Sequence, residues 1–164
     1  MARLDDSDRL HLEAAQGWLG MSDWREANNE LERITPAMRA HPSVLRTRIL
    51  VCIAAEHWDL VHEVAQALVV KLPYDALMCI YAAMALDRLN RTKDAYNLLE
   101  SFVKRFPNHA QLHYDLARYA CKIGMLTEAK SSLERAIDVS EKDILQQALD
   151  DPALEALWAK FSEI

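Results

Sequence analysis

The chain predicts an all-α fold, a solenoid of four helix pairs closed by capping helices at its C-terminal end. Three observations predict it. Small and apolar residues recur every 34 positions: Ala27, Val61, Ala95 and Ala129 form one column, and Leu31, Ala65, Leu99 and Leu133 form another four residues on. Ile34, Leu68, Phe102 and Ala136 follow three later, and thirteen residues before the first column stand Ala14, Arg48, Ala82 and Leu116, each followed at once by Ala15, Ile49, Ala83 and Ala117. No insertion separates the units. Finally, three glycines and five prolines in 164 residues leave little material for sheets with tight turns.

The elements run in order. A first helix over 8–20 precedes Met21 and Ser22, and Asp23 then caps a second helix, with Glu26 three residues on as in a capping box. Pro36 stops that helix, because its ring cannot follow a helical turn. Pro42 opens a helix reaching position 55, and its partner runs from Trp58 to just before Pro73. The third pair spans 75–89 and 92–105 around Asn90. Phe106, Pro107 and Asn108 close it, with Asn108 and Gln111 placed to cap the next helix. The fourth pair, 109–123 and 126–139, turns at Gly124, where a left-handed residue would end a helix. In the tail, Asp151 and Pro152 start a helix on which Leu154, Leu157, Trp158 and Phe161 form one stripe, after a shorter helix holding Ile144, Leu145 and Leu149. The expected role is capping, with roughly 3 kcal/mol from burial of Trp158.

The second unit departs from its neighbours. Where paired helices cross, the other units set Ala15 against Ala27, Ala83 against Ala95 and Ala117 against Ala129; here Ile49 meets Val61. Cys52 and Ala65 are correspondingly small where the first unit has Trp18 and Leu31. Volume is redistributed, and a wider or tilted helix pair is expected. Arg48 replaces an apolar residue and is expected to snorkel to a surface carboxylate.

Composition excludes several functions. A net charge of −6 disfavours a grip on phosphate backbones, so nucleic acid is not an expected partner. Asp5, Asp6 and Asp8 stand where a secretory signal would be basic, and the apolar run 49–55 is far short of a membrane span. Cys52, Cys79 and Cys121 are odd in number and lack a CxxC pair, so the chain reads as reduced and cytoplasmic. No glycine-rich loop cradles phosphate. His109 and His113 share a helical face without completing a tetrahedral metal set, and Asp150 and Asp151 read as capping residues rather than an acid–base pair. Cys121 is placed to face a groove but has no neighbouring base. No enzyme, cofactor or metal site is expected.

Leu116-Ala117, Ala120, Gly124, Leu126, Ala129, Leu133 and Ala136 resemble the pattern of the tetratricopeptide repeat. Ala82-Ala83, Ala95, Leu99, Phe102 and Pro107 match it nearly as well, as do Ala14-Ala15, Trp18, Trp24, Ala27 and Leu31. The whole chain, with its Ala148–Trp158 tail, is similar to small stand-alone bacterial proteins of this kind, whose roles are mostly undefined. The resemblance implies a right-handed α-α superhelix forming one domain over 1–164, with repeats near 8–41, 42–75, 76–109 and 110–143 and capping helices over 142–164.

It also implies that the first helices line a concave face. The columns place Leu12, Glu13, Gln16 and Leu19 there from the first unit, and Arg46, Thr47, Leu50 and Ile53 from the second. The third adds Leu77, Ile80, Tyr81, Met84, Asp87 and Arg88, and the fourth Tyr114, Asp115, Arg118, Cys121 and Lys122. Leu12, Gln16 and Thr47 stand where a carboxylate clamp for heat-shock chaperones would need Lys and Asn, so a co-chaperone role is disfavoured. Leu50, Ile53, Ile80, Tyr81 and Met84 are expected to form an apolar patch, rimmed by Asp87, Arg88, Arg118 and Lys122, for an amphipathic helix or an apolar extended segment. Coverage of the stripe by the chain's own termini, or a homodimer through the first helix, are the competing expectations. The function expected is a non-enzymatic protein-interaction scaffold; a dedicated bacterial chaperone for a secreted or aggregation-prone substrate is the alternative.

Overall fold

The computed structural model describes residues 3–161, the side chains at 143 and 161 excepted. Among the described residues there are ten α-helices, one short 3-10 turn and no strand: α1 (Asp6–Gly20), α2 (Trp24–Arg33), α3 (Pro42–Ala54), α4 (Trp58–Lys71), α5 (Ala76–Arg88), α6 (Thr92–Phe102), α7 (Ala110–Lys122), α8 (Leu126–Val139), α9 (Glu141–Leu149), the turn Pro152–Leu154, and α10 (Glu155–Phe161). Between Pro73 and Tyr74 the chain divides into two compact units, each holding two helix pairs.

One turn is built four times. Ser22, Glu56, Asn90 and Gly124, spaced by the repeat length, have φ of 61°, 57°, 61° and 80°. Each donates its N–H three residues back, to Leu19, Ile53, Asp87 and Cys121. The next N–H in each case returns five residues, to Trp18, Cys52, Leu86 and Ala120, at 2.9 Å. These paired bonds are the Schellman closure, which satisfies the carbonyls at a helix end and throws the chain straight into its partner helix. Only a glycine takes that conformation without cost. Glu56→Gly is therefore expected to raise the stability of the first unit by about 0.5–1 kcal/mol in urea denaturation. Gly124→Ala should lower that of the second by a similar amount, through backbone strain alone, since an added Cβ there meets nothing within 4 Å.

The helix starts were only partly foreseen. Asp23 caps α2 through Glu26 N–H at 3.1 Å, but its own N–H is spent on Trp18 O, so Glu26 accepts from Asn29 instead of completing the box. First helices use His41, Asp75 and His109, one per repeat, whose side chains accept from Ser43, Leu77 and Leu112 N–H. Asn108 and Gln111 do not cap α7: Asn108 accepts from Arg135, and Gln111 donates to Asp115. A ring nitrogen one residue closer to the helix takes that place. α6 ends at Phe102, short of the expected 105, in turns that carry Arg105 over the Phe102 ring.

In the first unit, Leu12, Ala15, Ala27, Leu31, Ile34, Val44 and Val51 form a buried cluster. Ile49 and Val61 are fully buried at the α3/α4 crossing, and of the four pairs α3 and α4 bring their backbones together least, as bulk at the crossing requires. Arg48 reaches back to Glu32 at 2.9 Å. The second unit keeps fully buried alanine pairs, Ala83 with Ala95 and Ala117 with Ala129.

Asp8 is buried near the start of α1 and accepts from both Thr35 N–H (2.8 Å) and Thr35 Oγ1 (2.7 Å), tying α1 to the segment after α2. The Thr35 N–H holds its carboxyl below the usual range, aided by the Thr35 hydroxyl and His11 against the opposing effect of burial. A carboxyl with a depressed folded-state pKa contributes stability above its unfolded value, near 4, and loses it as pH falls through the folded value. Asp8→Asn is expected to destabilise the first unit at pH 7, with the difference from wild type shrinking toward pH 3 in denaturation curves taken across that range.

Candidate functional site

The first-helix faces are not equivalent. In the first unit, α1 and α3 are linked by Gln16 Nε2 donating to Thr47 Oγ1 at 3.3 Å, and Thr47 in turn donates to Ser43 O. Leu12 and Thr47 are buried, so they support this face rather than present it. Leu50 stands 42% exposed one turn on from Thr47, with Ile53 half-buried beside the end of α3.

In the second unit, α5 presents Leu77, 47% exposed, and half-buried Tyr81 and Met84, while Ile80 is buried. Ile80 therefore belongs to the core and offers a partner almost nothing. Asp87 and Lys122, expected as rim charges, pair with each other at 2.5 Å from α5 to α7, and Asp87 also accepts from Thr92 Oγ1. Arg88 is exposed.

The face of α7 is occupied by the chain's own tail. Asp151 Oδ2 accepts from Tyr114 OH at 2.8 Å and stands 2.5 Å from Arg118 Nε, an ion pair without the alignment of a hydrogen bond. Its Oδ1 accepts from Ala153 N–H, which starts the 3-10 turn. Arg118 Nη1 reaches buried Asp115 at 3.3 Å, which also accepts from Gln111. Behind this clamp Leu154 and Leu157 are buried, as is Ile144 on α9. Trp158 is half-buried and donates from Nε1 to Ala148 O at 3.2 Å, so the two leucines carry the burial expected of the tryptophan. The Phe161 side chain lies outside the described residues.

Tyr114, read as a groove residue, is consequently fully buried, and Arg118 is turned to an internal partner. Cys121 is buried as well, close to the backbone of Leu157.

The electrostatics fit a structural clamp. Burial drives Asp151 up, but Ala153 N–H, the Tyr114 hydroxyl and Arg118 outweigh it and leave the carboxyl below its ordinary value. Asp115 is raised, because burial exceeds what Gln111 and Arg118 return. All three cysteines are buried and their thiols pushed up by that burial, Cys79 to about 11, so each is a protonated thiol at neutral pH. His109 caps α7, and the His113 ring lies 3.0 Å from Pro107 O. Among the described residues no three His, Cys, Asp or Glu side chains gather where they could hold a metal, and no helix is long and apolar enough to cross a membrane.

The sequence columns found the helix faces but missed the clamp, because Asp151 is 33 residues from Arg118 and outside the repeat. The available signal was an acidic residue before a proline downstream of an inward Tyr114–Arg118 pair.

Paired helices closed by repeated Schellman turns, crossing at small residues and sealed by a C-terminal segment, make this a tetratricopeptide-repeat fold. The chain is similar to a solved structure of MamA, residues 41 to the end, from Desulfovibrio magneticus RS-1, at 17% identity and TM-score 0.73, over 85% of this chain and 78% of that one. An ArsTM double mutant of MamA RS-1 matches with the same figures. TTC0263, a thermophilic TPR protein in Thermus thermophilus, matches at 15% identity and TM-score 0.67, over 95% of this chain and 89% of its own. No protein-family profile and no curated protein matches the chain.

Proposed function

We propose that the chain is a non-enzymatic protein-interaction scaffold whose first-helix faces bind a segment of another protein, an amphipathic helix or an apolar extended stretch. One observation carries this reading: α7 already holds such a segment. The tail lays buried Leu154 and Leu157 down beside an acidic residue gripped by Tyr114 and Arg118, an intramolecular instance of helix-on-helix recognition with a polar clamp. With that face taken, the surface left for a partner is on α3 in the first unit, at Leu50 and Ile53, and on α5 in the second, at Tyr81, Met84 and Arg88. A flexible methionine beside an aromatic ring suits an adaptable contact.

The test is affinity capture from native lysate with wild type, Leu50→Glu, and the double variant Tyr81→Ala, Met84→Glu. Partners recovered by wild type should drop at least tenfold with the variants while far-UV circular dichroism is unchanged. Recovery of the same proteins by all three baits would overturn the assignment.

A further inference from the structure

A slot recurs between second helices, on the side away from the first-helix faces. In the first unit it lies among α2, α3 and α4 and opens into a cavity of about 250 Å³, walled by Trp24, Asn28, Arg48, Cys52, His57 and Val64. Two repeat lengths on, the second unit has the counterpart among α6, α7 and α8. Asn28, Arg48 and Val64 become Tyr96, Leu116 and Ser132, all lining that slot. The difference is at its middle. Tyr96 is buried, 6% exposed, and the space left open lies beyond it toward the helix ends, against Glu100, Val103 and Lys104. In the first unit the shorter Asn28 leaves the opposite end open, toward Trp24, Ala55 and His57.

We propose that the first-unit slot binds a small free phenol, the group that the chain's own Tyr96 supplies to the equivalent slot. The chemistry of the wall fits. Trp24, in edge contact with His57 at 6.1 Å between ring centres, offers a flat face to an aromatic ring. Asn28, His57 and Arg48 offer hydrogen-bonding groups to a hydroxyl, and the Arg48 pairing with Glu32 engages Nη1, one of several guanidinium donors. The volume is below that of drug-sized sites and suits one ring rather than two. Small residues at Cys52 and Ala55 keep the floor open.

The probe is p-cresol, the tyrosine side chain without its backbone, titrated into the whole protein and followed by indole and methyl resonances in NMR. Saturable shifts centred on Trp24 and Val64 at millimolar concentration are expected. Asn28→Tyr should weaken that binding at least tenfold and raise the melting temperature, because the tethered ring takes the ligand's place. Cys52→Met, which narrows the floor, should weaken it as well and decides the matter if Asn28→Tyr does not fold. Shifts that never saturate, that lie away from the slot, or that survive in both variants would overturn the proposal.

Discussion

Arg118→Ala is expected to cost the second unit about 3 kcal/mol, because it strands two carboxylates at once. Asp115 and Asp151 are both largely shielded from water and share this guanidinium. Removing it leaves each with weaker partners: Gln111 for Asp115, and the Tyr114 hydroxyl and Ala153 N–H for Asp151. Arg118 is itself 30% exposed, so water screens part of the loss and the low end of the usual range for buried pairs applies. Two measurements check it. Urea denaturation should show the loss of stability, and hydrogen exchange should show residues 141–161 opening before the α7/α8 pair. Tyr114→Phe removes one hydrogen bond and should cost only about 1 kcal/mol. Equal protection of the tail in wild type and Arg118→Ala would mean that Leu154 and Leu157 hold it without the clamp.

The second large effect concerns a substitution that looks like a repair. Ile49→Ala gives the second helix pair the alanine found at this crossing in the other three, yet it is expected to destabilise the first unit by about 3 kcal/mol. The backbones of α3 and α4 are already set apart by the Ile49–Val61 contact, and both side chains are fully buried. Truncation therefore opens a cavity that the neighbouring helices, packed against Val44 and Leu68, cannot collapse to fill. Ala83→Ile, the reverse change in the second unit, should cost about 1–3 kcal/mol by overpacking. Thermal or urea denaturation of both variants checks the pair of predictions, and an unchanged Ile49→Ala midpoint would refute the redistribution of volume.

What the sequence revealed and what it hid reflect the range of the forces involved. The helix pairs, the crossings and the stop at Pro36 were legible, because period, propensity and proline geometry act within a few residues. The fourfold turn was visible only at Gly124; Ser22, Glu56 and Asn90 adopt the same left-handed conformation because two backbone hydrogen bonds impose it on residues that do not prefer it. The capping of α7 by His109 was missed because Asn108 is the better capping type, and Arg135, 27 residues away, claims it first. The face of α7 was read as open because nothing in the columns records where a tail outside the repeat will lie. Tyr114 and Arg118 have the look of a binding site and are one, for a ligand in the same chain. The slot beside Trp24 was likewise illegible: it depends on what Asn28 fails to fill, and an absent side chain leaves no motif.

Site-specific photocrosslinking in native lysate tests most directly whether the first-helix faces are the binding surface. A photoreactive phenylalanine would stand in turn at positions 50 and 84, and at Gln66 and Glu134, exposed residues on α4 and α8. Discrete adducts to one partner from 50 and 84, with none from 66 and 134, are the expected result; adducts from 66 and 134 alone, or equal labelling from all four, would contradict it.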